Sequence, residues 1–326
     1  MSQSLMKALK KQDPSCHIDV YAPAYALPVL DRMPEADCKL VNPFAHGELS
    51  LKKRFSEGRR LARNNYDTAF ILPNSLKSAL VPFFAGIPDR RGFKGESRYL
   101  LINHMRNNPK DFPRMVERYV ALAYSPGLIT QATDLPPLEL PALKHITPTY
   151  TLLHELQISF DRPCLALGCG ANYGPSKLWP VEYFGKVCDW WIESGGSVLG
   201  LGTKKDAPTV AAVKNCVKPD IREFFYDIAG KTDLCQALDL VACCNAAVCN
   251  DSGMMHTVAA VNVPQVCIFG STSTLYTPPL SDKAFCLEAR TACHPCFKRT
   301  CALGTYECLK SIKPESVISK LQEFAP

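Results

Sequence analysis

No run of about 18 apolar residues free of charge or proline occurs in this 326-residue chain, so no membrane-spanning helix is expected. The opening residues, MSQSLMKALKKQDPSCHIDVYA, lack an apolar core followed by a small-residue cleavage site and do not read as a secretory signal. No recognised nucleic-acid-binding motif and no aromatic-basic interleaving accompanies the positive charge, which argues against nucleic acid as partner. A cytoplasmic enzyme is the expectation these absences leave.

What is present fits two domains. The chain is longer than the usual single domain, and 47% hydrophobic with 21% charged residues is enough for two ordinary cores. Cysteine is plentiful, at sixteen, but Cys164, Cys188, Cys243, Cys249 and Cys267 fall inside apparent strands and helices. There a thiol behaves as a small hydrophobe, and these are read as reduced core residues. The net charge of +6 sits in the first half, where residues 1–145 carry 21 Lys and Arg against 14 Asp and Glu. It concentrates in LKKRFSEGRRLAR (residues 51–63), which has helical spacing, and DRRGFKGESR (residues 89–98). A solvated helix face explains such clusters, and so does a polyanionic partner such as phosphorylated glycolipid headgroups.

Helix and strand patterns alternate along both halves, which argues for parallel sheets wrapped by helices. SQSLMKALKKQ, LSLKKRFSEGRRLARNN and LKSALVPFFAG read as helices; HIDVYA, YDTAFILPN and a short RRGF read as extended. Between residues 124 and 148 the proline-rich YSPGLITQATDLPPLELPALKHITP has no clear period, and it sets the predicted division into domains 1–148 and 149–326. The second half restarts as a regular doubly wound unit with strands CLALG, SVLGLG, YDIAG, AAVCN and PQVCIFG.

Ligands of such units bind beyond the carboxyl ends of the strands. After CLALG comes GCGANYGPSKLWP, offering Asn172, Tyr173 and Ser176 as donors and Lys177 as a cation. After SVLGLG, Asp206 stands where an acid accepts hydrogen bonds from ribose hydroxyls. AAVCN runs into NDSGMMH, a strand-to-helix junction at which Asp251 or Ser252 caps a helix and Gly253 lets a ligand approach the free N–H groups. A plain helix cap is the competing reading of that turn. A cation, a helix N-terminus and an acid on one rim together suit a nucleotide diphosphate.

With KLWP (residues 177–180), NDSGMMHTVAA (250–260) and TPPLS (277–281) in this order, the chain resembles the ADP-heptose:lipopolysaccharide heptosyltransferases, most closely those of the heptosyltransferase II type in glycosyltransferase family 9. The resemblance implies a GT-B fold of two Rossmann-like doubly wound domains facing a cleft. The C-terminal domain would hold ADP-heptose as donor, and its last helix would pack back on the N-terminal domain. Lys177 would stabilise the diphosphate leaving group, with the Ser252 and Gly253 backbone binding it at the helix start. Asp251 would contact the sugar or ribose, Thr232 would lie beside the adenine, and His256 would face the phosphates or hold the loop, a core histidine being the alternative.

The same resemblance implies an inverting transfer of heptose to the first heptose of the lipopolysaccharide inner core, at the cytoplasmic face of the inner membrane and without a cofactor or metal. The acceptor's phosphates and acidic sugars would meet Lys52, Lys53, Arg54, Arg59, Arg60 and Arg63. Members of the family open with an apolar strand and a Gly-Asp turn ahead of the helix that starts here at Met1, and that Asp is the expected general base. No carboxylate of this sequence takes its place by motif. The N-terminal domain is therefore expected to be incomplete, through a start site set one element late or as a defective remnant. A non-catalytic nucleotide-sugar-binding protein and a nucleotide-sugar epimerase of the same fold are the rival readings. In the tail, Cys293, Cys296, Cys301 and Cys308 have a spacing that only partly matches a zinc site, and free thiols are the preferred reading.

Overall fold

The computed structural model describes residues 1–324 and divides them into two compact units, residues 1–30 with 35–139, and residues 31–34 with 140 onward. Residues 140–148 thus group with the second unit. Main-chain bonds from Leu143 to Ala260 and from Lys144 to Arg32 hold them there. Asp239 pins the same stretch, accepting from Arg32 Nη2 at 2.6 Å and from the Ile146 N–H at 2.7 Å.

The first unit runs α1 (Ser2–Gln12), β1 (Asp19–Pro23), α2 (Leu27–Leu30), β2 (Cys38–Asn42), α3 (Leu51–Leu61), β3 (Thr68–Ile71), α4 (Leu76–Phe84), β4 (Asp89–Phe93), β5 (His104–Arg106) and α5 (Met115–Ala121). Its strands are all parallel, but they form two separate sheets, β1-β2 and β3-β4-β5. Side chains bridge the pieces. The Tyr66 hydroxyl donates to Asp19, and Tyr21, Leu40 and Ala69 pack around Leu61, Val81, Ala85 and Ile87.

The second unit continues with α6 (Tyr150–Leu156), β6 (Cys164–Gly168), α7 (Val181–Glu193), β7 (Ser197–Gly200), α8 (Ala207–Cys216), β8 (Phe225–Asp227), α9 (Leu234–Ala242), β9 (Ala246–Asn250), α10 (Gly253–Ala260), β10 (Gln265–Phe269), β11 (Ala284–Glu288), α11 (Glu307–Ser311) and α12 (Pro314–Leu321). One parallel sheet in the order β11-β10-β9-β6-β7-β8 carries them. Strands β6, β7, β9 and β10 are buried along their whole length, as helices on both faces require of a parallel sheet. Helix α7 buries Phe184, Val187, Cys188, Trp191 and Ile192, one apolar stripe at helical spacing. Helix α9 starts at Asp233, whose carboxylate accepts from the Gln236 N–H while the Gln236 side chain accepts from the Asp233 N–H.

Three features differ from the sequence reading. Cys164, Cys188, Cys249 and Cys267 are buried as expected, but Cys243 is exposed because α9 ends just before it, and its neighbour Cys244 turns inward. The last helix, α12, packs within its own unit, with Val317 and Leu321 fully buried among core residues that include Trp191 and Val266. Strands β2, β5 and β11 and helix α5 were not expected; the strands are short and half-exposed, so they lack the apolar runs that mark the others. No helix among the described residues is long and apolar enough to cross a membrane.

Candidate functional site

Strand β6 pairs with β7 on one side and β9 on the other, so the chain winds outward from β6 and then returns to start the other half of the sheet at β9. The carboxyl ends of β6 and β9 therefore form the switch point at which open α/β sheets hold ligands. Two turns meet there. The β6 loop ends in a 3₁₀ turn at Pro175–Lys177, and the β9 turn opens α10.

Asn250, fully buried, ties these turns together. Its Nδ2 donates to the Cys169 carbonyl at 2.7 Å and its Oδ1 accepts from the Trp179 N–H at 3.3 Å. The indole of Trp179 donates in turn to the Ile312 carbonyl at 2.9 Å. Gly174, at φ +152°, has no room for a side chain, since a Cβ there lies 2.5 Å from the Arg299 carbonyl oxygen. That close approach sets Ser176 to donate from its N–H to Arg299 O at 3.2 Å and from its hydroxyl to Lys298 O.

So held, Lys177 reaches Asp251 with Nζ 2.5 Å from Oδ2, the two side chains 14% and 5% exposed. The Thr272 hydroxyl donates to the same oxygen at 2.6 Å. The Lys177 ammonium also lies 4.9 Å from the Tyr173 ring centroid, a cation–π contact, and Tyr173 is anchored by its hydroxyl to Phe297 O at 2.5 Å. Beside the ion pair, Ser252 caps α10 in extended conformation without a side-chain cap bond. A Cβ on Gly253 meets nothing within 4 Å. The space beside Gly253 at the start of α10 is thus open, and a helix N-terminus next to a lysine is an arrangement that favours an anion.

Several expected residues already have partners within the chain. Asp251 is engaged by Lys177 and Thr272, so it sets the position of the cation. Asp206 accepts at Oδ2 from the Thr203 N–H at 2.8 Å and hydroxyl at 2.7 Å, closing its own loop at the start of α8. Burial pushes the His256 imidazole down to about 4; at neutral pH it offers hydrogen bonds and no charge. Asn172 is exposed on the β6 loop, and Thr232 is half-buried just ahead of the α9 cap. Thr272 was missed. It sits in a run of small polar residues, GSTST, directly after β10, the same position relative to a strand end as the turns that were read.

In the first unit, Arg54 is a correction. Only 5% exposed, it donates to the Leu49, Lys77 and Glu48 carbonyls at 2.6, 3.0 and 2.8 Å and stacks on Phe44. Lys53 lies 3.5 Å from Glu48, and Arg60 makes two bonds to Glu57 at 2.9 and 2.6 Å. Lys52, Arg59 and Arg63 are exposed. In the second basic cluster Arg98 is likewise structural: 1% exposed, it donates to the Pro73 and Phe93 carbonyls, each at 2.6 Å.

The family model for glycosyltransferase family 9 (heptosyltransferase) matches residues 54–307. The chain is 42% identical over 335 residues to lipooligosaccharide heptosyltransferase 2 of Haemophilus influenzae, covering 99% of this chain and 95% of the relative. It is 41% identical over 325 residues to lipopolysaccharide heptosyltransferase 2 of Escherichia coli, covering 98% and 93%. The solved structure of ADP-heptose LPS heptosyltransferase II from E. coli matches with a TM-score of 0.88 at 37% identity, over 99% of this chain and 94% of that one.

Proposed function

Because the chain belongs to glycosyltransferase family 9, the heptosyltransferases, we propose that its second unit seats ADP-heptose at the junction of β9 and α10 and that its first unit receives the acceptor. It is a glycosyltransferase of the GT-B fold that moves heptose onto the inner core of lipopolysaccharide. The observation that carries the donor seat is Lys177, held on Asp251 beside the open N-terminus of α10. An acceptor hydroxyl on heptose I attacks the anomeric carbon of ADP-heptose from the face opposite the diphosphate. The new C–O bond forms as the hydroxyl gives up its proton to solvent, the bond to the diphosphate oxygen breaks, and ADP leaves with inversion. Charge grows on that oxygen as the bond breaks. Lys177 and the Ser252 and Gly253 N–H groups stabilise it from fixed positions, which is where such sites gain most of their rate.

Lys52, Arg59 and Arg63, exposed on α3 and its following turn together with the carboxylate-paired Lys53 and Arg60, suit the phosphates and acidic sugars of an inner-core acceptor at the cytoplasmic face of the inner membrane. Measuring ADP release from ADP-heptose with and without a heptose I-terminated acceptor tests the reading. Release that depends on the acceptor supports transfer. Equal release without it, or isomerisation of the sugar nucleotide, overturns it in favour of hydrolysis or epimerisation.

A further inference from the structure

Between β11 and α11 lies a segment that the transfer reaction does not explain. No residue from Arg290 to Glu307 is buried, and none lies in a helix or strand before α11 begins at Glu307. A loop this long without its own core is uncommon in a compact domain unless something else orders it. Yet its main chain is placed accurately enough to accept from Tyr173 and Ser176 through Phe297, Lys298 and Arg299, so it braces the turn that carries Lys177.

The four tail cysteines converge on this segment. Cys293, Cys296, Cys301 and Cys308 line one cavity of about 230 Å³ together with Ser176 and Ser271. Cys301 lies against the backbone N–H groups of Leu303, Gly304, Thr305 and Tyr306. No three Cys, His, Asp or Glu side chains among the described residues are grouped tightly enough to hold an ion as they stand.

We infer that Cys293, Cys296, Cys301 and Cys308 turn inward across this cavity to bind one zinc ion in a tetrahedral tetrathiolate site that orders the 290–307 loop behind Lys177. Four sulfur ligands select a soft or borderline tetrahedral ion. Each thiol releases its proton to solvent as it ligates, and no electron is transferred. The role is structural, since four protein ligands leave no open position for substrate.

The full chain, expressed with zinc in the medium and purified under reducing conditions without chelator, is expected to carry about one zinc per chain by elemental analysis. Cobalt added to protein stripped of metal gives the sulfur-to-cobalt charge-transfer band and the visible bands of tetrahedral coordination. Zinc protects Lys298 and Arg299 from trypsin, and a chelator exposes them. Cys293→Ser with Cys296→Ser abolishes all three signals, whereas Cys216→Ser, exposed at the end of α8, leaves them intact. Zinc below about a tenth of an equivalent with no cobalt bands in the unaltered protein overturns the assignment. So does iron in place of zinc, or a disulfide between any two of the four.

Discussion

At the scale of single residues, the Lys177–Asp251 pair does two jobs that one substitution separates. Lys177→Met keeps most of the length and removes the charge. A charge-assisted bond to the diphosphate then disappears, at a cost of about 1.5–3 kcal/mol in ADP affinity. Asp251 is also left buried with Thr272 as its remaining partner, which lowers stability for a reason unrelated to ligand. Adding Asp251→Asn removes that stranded charge, so the double variant recovers melting temperature and stays weak for ADP by calorimetry. Wild-type ADP affinity in the double variant sinks the donor seat. His256 supplies a pH test. Its folded value of about 4 lies below that of an unfolded histidine, so in the window between them the unfolded chain binds a proton that the folded chain refuses. Stability contributed by neutral His256 is complete above that window and is lost as pH falls through it, by about 2–4 kcal/mol. Urea unfolding at pH 7 and pH 5 measures the loss, and His256→Asn flattens it.

At the scale of elements, helix α3 shows how a basic sequence divides its cations between interior and surface. Arg54, Gly58 and Leu61 are its buried residues, at the i, i+4, i+7 spacing of one helix face. That spacing was available in LKKRFSEGRRL, but the four other cations of the stretch hid it. A guanidinium whose donors meet three carbonyls works as a structural clamp. Arg54→Met is therefore expected to cost about 2–4 kcal/mol of stability and to leave acceptor affinity unchanged in the fraction that folds. Replacing Lys52, Arg59 and Arg63 together by Ser has the opposite signature, with an unchanged melting temperature and weaker binding of phosphorylated acceptor. The deficit shrinks as salt screens the wild-type attraction. Thermal unfolding and acceptor binding at two ionic strengths check both; weaker acceptor binding in folded Arg54→Met would return that residue to the surface.

At the scale of the whole molecule, the two units are unequally knit. The second has a continuous six-stranded sheet whose central strands are fully buried. The first has a pair and a triplet of short strands, β1 half-exposed at every position. Small separate sheets depend on surrounding helices and side chains for their stability. The amides of β1, β2 and β3 are accordingly expected to exchange orders of magnitude faster than those of β6, β9 and β10, with the first unit opening below the global unfolding free energy. Hydrogen exchange read by mass spectrometry decides this, and uniform protection across both units defeats it.

Much of this architecture was legible in the sequence. The alternation of helix and strand in the second half, the capping residue Asp233 with Gln236 three positions on, and the polar turns after CLALG and AAVCN are local signals. Each is set by neighbours within a few residues. Tertiary structure alone decided that Lys177 spends its charge on Asp251, that Thr272 from a third strand end completes the pair, and that the four tail thiols share a cavity with the distant Ser176. It also decided that the first unit's strands form two sheets instead of one. The physical reason is the same in each case. A period or a cap is a property of one stretch of chain, whereas an ion pair or a sheet order depends on which strand ends the core packing brings together, and no local pattern encodes that distance.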